Sequence, residues 1–162
     1  MTGTIEPRWL SDTEQASWRA FLSGGRLLME ALDRGLTPHG VSLAEYEIIS
    51  MLSESPSRQM RMSELAAIVV QSRSRLTHTA TRLEKRGWVS REPCEGDRRG
   101  VLLTLTDEGL GVVGRLSAIH VAQVRAALVD RLTPAQFAAL GEAMDVVRAS
   151  LSADPAAPVR LD

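Results

Sequence analysis

SELAAIVVQSRSRLTHTATRLEKRGWVSREPCEGDRRGVLLTL, residues 63–105, decides how this chain is read. Ser63 is placed to cap a short helix over Glu64–Val70, and Ser72 a second over Arg73–Arg86, because a serine oxygen can accept the unpartnered N–H groups of a first helical turn. Gly87 supplies the left-handed residue that ends a helix. Beyond it, Trp88-Val89-Ser90-Arg91 and Val101-Leu102-Leu103-Thr104-Leu105 are rich in strand formers. The polar stretch Glu92–Gly100 between them holds Pro93, Gly96 and Gly100, and predicts a β-hairpin with a long tip.

Two helices in tight succession followed by a basic hairpin are the layout of a winged helix-turn-helix, which points to DNA. In the second helix Leu76, Ala80 and Leu83 fall at i, i+4 and i+7 and face inward. Arg73, Ser74, Arg75, Thr77, His78, Thr81 and Arg82 are left on the other face, crowded toward the helix start. That end of a recognition helix meets base edges, where Arg can fork onto guanine. Arg73, Arg75 and Thr77 are therefore the base-reading candidates; Ser72, Ser74 and Arg82 complete the DNA-facing set. His78 reads equally as a phosphate contact or a solvated side chain. In the hairpin tip Arg98 and Arg99 sit between glycines, which suits a narrow minor groove with enhanced negative potential. Asp97 is expected to hold one of these adjacent arginines and so position the wing.

Charge agrees locally. The whole chain carries 19 Lys plus Arg against 20 Asp plus Glu, a net -1 that predicts no polyanion partner. From Arg58 to Gly100, however, ten basic residues face five acids, a local +5 between flanks of -4 (residues 1–57) and -2 (residues 101–162). A basic middle on acidic flanks fits a nucleic-acid module carried on a scaffold that does not touch phosphate, although a solvated basic face would look the same.

Helix starts are marked along the rest of the chain. Ser11-Asp12-Thr13-Glu14 is a capping box opening a helix to about Gly35, with Trp18, Phe21, Leu22, Leu28 and Leu32 on one stripe and Gly24-Gly25 as a weak point. Ser42-Leu43-Ala44-Glu45 is a second box, with Val41 and Tyr46 as a hydrophobic staple, and that helix ends near Ser53. Thr106-Asp107-Glu108 caps a long helix to about Arg131. Thr133-Pro134-Ala135-Gln136 opens the last, striped by Phe137, Leu140, Met144, Val147 and Leu151. The expected fold is mainly α with a small β-hairpin wing. It is one domain over residues 1–162: a winged-helix lobe at about 40–106, dimerisation helices at about 11–35 and 107–151, and a flexible tail at 152–162. Three broad apolar stripes exceed what so small a lobe can bury, so a second copy is the expected cover.

Other chemistry is thin. The longest unbroken apolar run, Leu65–Val70, is too short to span a bilayer, and one cysteine allows no internal disulfide, so a cytoplasmic protein without a membrane is expected. No nucleophile triad, phosphate-cradling loop or carboxylate pair is discernible, and no enzyme or cofactor is expected. His39, His78 and His120 share no metal-ligand spacing with one another or with Cys94, so no metal is expected either. Cys94 is a redox candidate in which Arg91, Arg98 and Arg99 would favour the thiolate while Glu92 and Glu95 oppose it.

Residues 42–111 resemble the MarR family of bacterial winged-helix repressors. The resemblance is carried, in order, by Met62-Ser63-Glu64-Leu65-Ala66, Ser72 to Leu76, Leu83-Glu84-Lys85-Arg86-Gly87-Trp88-Val89, Asp97-Arg98-Arg99-Gly100 and Leu105-Thr106-Asp107-Glu108-Gly109. It implies a homodimer built from the first and last helices, binding a palindromic operator on double-stranded DNA. It also implies release by a small aromatic ligand or by thiol oxidation, and no catalysis. The family pocket lies where the dimer helices meet the lobe, which makes Trp18, Arg26, His39, Tyr46 and His120 ligand candidates, though a structural role, with Tyr46 as staple and Trp18 as core, is the stronger reading of each. Two departures stand out. Thr79 and Ala80 occupy positions where the family usually carries larger apolar residues. Cys94 lies in the wing and not near the N-terminus, so the oxidation mechanism does not carry over. The alternative from another class is a winged-helix module that binds a ligand or partner without reading DNA.

Overall fold

The computed structural model describes residues 7–69, 72–94 and 96–151, with only the backbone of residues 73, 98 and 99. The expected flexible tail lies outside the described residues. In chain order the elements are α1 (Asp12–Leu36), a 3-10 turn (Thr37–His39), α2 (Leu43–Glu54), β1 (Gln59–Arg61), α3 (Met62–Ile68), α4 (Arg73–Lys85), β2 (Val89–Cys94), β3 (Asp97–Leu105), α5 (Asp107–Ala127), a second 3-10 turn (Val129–Arg131) and α6 (Pro134–Leu151). The expected α-rich fold with a β wing is present.

Local capping chemistry fixes most helix starts. Ser11 with Glu14 and Ser42 with Glu45 form reciprocal boxes. Thr133 accepts from the Gln136 N–H at 3.2 Å while its own N–H donates to the Gln136 side chain at 2.9 Å. Thr106 caps α5 through the Gly109 N–H at 3.1 Å, and its hydroxyl donates to the Gly87 carbonyl at 2.7 Å, so the end of α4 and the start of α5 are pinned together. Gly109 is needed at that crossing: a Cβ there would lie 2.2 Å from the Trp88 carbonyl oxygen.

Two expectations are corrected. Ser63 does not cap α3. The helix starts two residues earlier, Arg61 is the cap, and the Glu64 carboxylate accepts the Arg61 N–H at 3.2 Å. The cause is β1, which pairs antiparallel with β3 (Gln59 with Thr104, Met60 with Leu103, Arg61 with Leu102) and feeds the helix directly. The wing also lacks the long tip expected over Glu92–Gly100. Both strands continue, through Glu92 opposite Leu102 and Pro93 opposite Val101 to Cys94 opposite Asp97, with a register shift at Pro93/Cys94 and a turn at Gly96 (φ +75°). In the order β1-β3-β2, strand β2 is an edge, where a proline without an N–H is tolerated. Arg98 and Arg99 consequently belong to a strand and not to a loop.

The core gathers α2, the inner face of α4, β3 and the first half of α5, including Ile48, Ile49, Leu52, Leu65, Leu76, Leu83, Leu103, Val112 and Leu116. The long helices enter it only in part. Helix α1 runs unbroken through Gly24-Gly25, yet of its expected stripe only Leu32 is buried, joined by Leu36, whereas Trp18 and Phe21 remain 48% exposed. Helix α6 buries no residue and makes only sparse contact with the rest of the chain. The segment Asp107–Arg131 is on average long and apolar enough to cross a bilayer, a property that a search for unbroken apolar runs misses. Its first half is packed inside the lobe through Val112 and Leu116.

Candidate nucleic-acid interface

Helix α4 presents two chemically distinct faces. Ser72 caps it by accepting the Arg75 N–H at 3.3 Å. Leu76, Ala80 and Leu83 are fully buried, as the spacing predicted, and Thr79 joins them. A polar side chain enters the core there because its hydroxyl donates to the Arg75 carbonyl at 3.1 Å. Ser74, Arg75, Thr77, His78 and Arg82 are exposed on the opposite side, and Ser74, Thr77, His78, Thr81, Arg82 and Lys85 border one open polar depression. Of the DNA-facing set expected on this helix, Ser72, Ser74, Arg75, Thr77, His78 and Arg82 are exposed, and the side chain of Arg73 lies outside the described ones.

Ion pairs tie this helix to its surroundings. The Arg91 guanidinium on β2 donates to the Glu84 carboxylate through both Nε (2.9 Å) and Nη2, which couples α4 to the wing. Arg91 holds the Glu84 carboxyl below the usual range, and the Arg91 guanidinium is itself made less acidic. Asp97 pairs with Arg61 of β1 at 3.3 Å. The expected hold on Arg98 or Arg99 concerns side chains outside the described ones. Arg58, in the left-handed region (φ 53°), reaches Asp107 at 2.9 Å and anchors the sheet to α5. Cys94 is half-buried against Gly100, where a Cβ would come 2.9 Å from its sulfur and 2.7 Å from an Asp97 oxygen.

The five ligand candidates are not brought together. Trp18 stacks on Phe21 at 6.0 Å on the exposed part of α1, and Arg26 is exposed on the same helix. Tyr46 is buried with its ring 4.6 Å from that of His120, between α2 and α5. Burial pushes the Tyr46 hydroxyl pKa up and the His120 pKa down. The His120 Nδ1 atom is buried with no hydrogen-bond partner. His39 alone of the five borders a cavity of about 270 Å³, whose other walls are Val41, Trp88, Val112, Arg115, Leu116 and Ile119. Arg115 is a residue that sequence reasoning missed. Its signal was faint, a cation beside the i, i+4, i+7 apolar series Val112, Leu116, Ile119.

The His120 environment gives a pH prediction. With its folded pKa below the unfolded value of 6.5, the neutral ring is favoured in the fold, so its contribution is present above that value and is lost as pH falls. Between about pH 7.5 and 5.5 the Tm of the wild type should therefore drop more than that of His120→Asn, measured by thermal melts in matched buffers. Parallel curves would contradict a buried neutral imidazole.

Comparison with known proteins follows the same geometry. The MarR family model matches residues 41–101, which span α2 through most of the wing. AbsC, a MarR family transcriptional regulator from Streptomyces coelicolor, is 42% identical, with a TM-score of 0.85 over 91% of this chain and 100% of that one. Sco3205 from the same organism, solved in complex with DNA, is 46% identical, with a TM-score of 0.86 over 91% and 93% of the two chains. The chain belongs to the MarR family. The transcriptional regulator PecS of Dickeya dadantii is 34% identical over 109 residues, 67% of this chain and 63% of its own length. Membership excludes an enzyme, because the family and these relatives are transcriptional regulators.

Proposed function

We propose that two copies of this chain form a cytoplasmic repressor that reads an inverted-repeat operator and releases it when a small planar acid binds. In this reading α4 of each copy enters a major groove, with Arg73, Arg75 and Thr77 over base edges and Ser72, Ser74, His78 and Arg82 near phosphates. Arg98 and Arg99 flank the site from the wing. The winged-helix lobe spans about residues 40–106, and α1, α5 and α6 form the dimer. The observation that carries the proposal is the division of α4: its inner face is locked in the core, while the outer face exposes Arg75 and offers Thr77, His78 and Arg82 along one open depression.

The cavity between the 3-10 turn, Trp88 and α5 supports the effector half. Its volume of about 270 Å³ falls below the range for drug-sized ligands, so a single-ring molecule fits best. Trp88 and four aliphatic side chains favour a planar apolar body, and His39 with Arg115 favours an acidic group.

Selection of genomic fragments by the pure full chain, followed by footprinting, tests the reading. An operator should bind roughly a thousandfold or more tighter than scrambled duplex and show paired protection. Enrichment of no fragment would favour the partner-binding alternative. For the wing, Arg98→Ala with Arg99→Ala should lower affinity for nearly all sequences and make the plot of log affinity against log salt shallower by about one unit per lost phosphate contact. An unchanged slope would remove the wing from the interface.

A further inference from the structure

Glu45 has more partners than its place in the sequence requires. As the third residue of α2 it completes a capping box, accepting the Ser42 N–H at 2.9 Å and the Ser42 hydroxyl at 3.0 Å through Oε2. That task is satisfied by a solvent-exposed glutamate or glutamine. Here the side chain is only 8% exposed, and its second oxygen lies 3.3 Å from Nε of Arg82, with Arg86 at 3.8 Å from the first. A buried carboxylate is tolerated only when charged partners surround it. Both partners belong to the C-terminal half of the recognition helix and its cap.

The two arginines differ in freedom. Arg86 is fixed three times over: it donates to the Gly40 carbonyl at 2.7 Å, stacks 3.6 Å above the Trp88 ring and faces Glu45. Arg82 is half exposed, borders the polar depression of α4 and has Glu45 as its only charged partner among the described residues. A guanidinium drawn to a carboxylate on its Nε side keeps its two terminal amino groups for a phosphate. The same carboxylate, shared with Arg86, offsets part of the long-range pull that a free arginine would exert on any polyanion.

We propose that Glu45 is a positioning residue for DNA discrimination, setting Arg82 as a phosphate clamp that works only when α4 is correctly seated. It rests on the DNA-reading function above. Pre-orientation favours the seated complex because less side-chain freedom is lost on binding. Partial charge cancellation withholds affinity from unseated, sequence-indifferent encounters, which depend on net charge alone. Through Glu45 the start of α2 sets the side chain. The Asp33 carboxylate, accepting the Leu43 N–H at 2.8 Å, carries the same link back to α1.

The test compares wild type, Glu45→Gln, Arg82→Gln and the double variant, as full chains, on the tightest selected genomic duplex and on a scrambled duplex of equal length. Glutamine keeps the capping oxygen and the volume but removes the charge. The selected-to-scrambled affinity ratio should fall about tenfold in Glu45→Gln, the scale of one mismatched base pair. It should fall no further when Glu45→Gln is added to Arg82→Gln. Equal loss on both duplexes, with the ratio unmoved, would show that Glu45 is only structural and would overturn the proposal. A wild type that does not discriminate would overturn the DNA-reading function itself, which is a different result. A measurement on the wild type covers the case in which the variant does not fold. The Nε–H resonance of Arg82 should be protected from solvent exchange in the free chain and stay protected on the selected duplex. Rapid exchange in either state would also overturn the proposal.

Discussion

Arg73→Ala or Arg75→Ala is expected to weaken binding to the selected operator by about 1 to 3 kcal/mol and to relax the preference at one base position per half-site. Both residues lie in the first turn of α4, the end of a recognition helix that approaches base edges. Arg75 is exposed, and its backbone N–H is already satisfied by Ser72, so truncating its side chain leaves the helix start intact. Thermal stability should therefore change little while affinity falls about fivefold to about 150-fold, the arithmetic equivalent of that energy. Competition titrations against a panel of single-base operator variants measure both quantities. If both mutants rank the panel as the wild type does, base reading lies elsewhere on the surface.

The legibility of α4 explains why such a prediction could be framed from the sequence. Its period of apolar residues and its serine cap are local signals, and local chemistry also placed Ser11, Ser42, Thr106 and Thr133 at helix starts. Ser63 failed because β1 is three residues long, too short to show an alternating pattern. It exists only through pairing with β3, more than forty residues later in the chain. The wing strands run further than their composition suggests for a related reason. Pro93 and Gly96 read as loop composition, yet an edge strand accommodates the proline and the turn uses the left-handed glycine.

The site was legible on its surface and not in its supports. Which side chains face outward on α4 follows from helical spacing alone. That Glu45 meets Arg82, or that His39 and Arg115 border one cavity, depends on how α2 and α5 pack against the lobe, and no periodicity carries that information. Asp97 shows the same limit. Its partner Arg61 lies on β1, 36 residues earlier in the chain, and no local pattern announces that contact.

Leu140→Asp with Met144→Asp should dissociate or unfold the protein, at a cost of several kcal/mol, if these positions lie centrally in a twofold interface. Helix α6 has 18 residues, buries none of them in its own chain and leaves Phe137, Val146, Val147 and Leu151 exposed. A helix of that length is marginal in water without an apolar face to pack on. Trp18 and Phe21 on α1 and Val121 on α5 are uncovered as well, so the three long helices share an apolar excess that a second copy would remove. A twofold pair built this way would set the recognition helices about one turn of DNA, or roughly 10 base pairs, apart and require an inverted repeat. Light scattering should give twice the chain mass for wild type, and footprinting two protected half-sites. The double mutant should lose both together. A folded monomeric wild type, or a mutant that keeps paired protection at unaltered affinity, would place the cover of these helices somewhere other than a second copy.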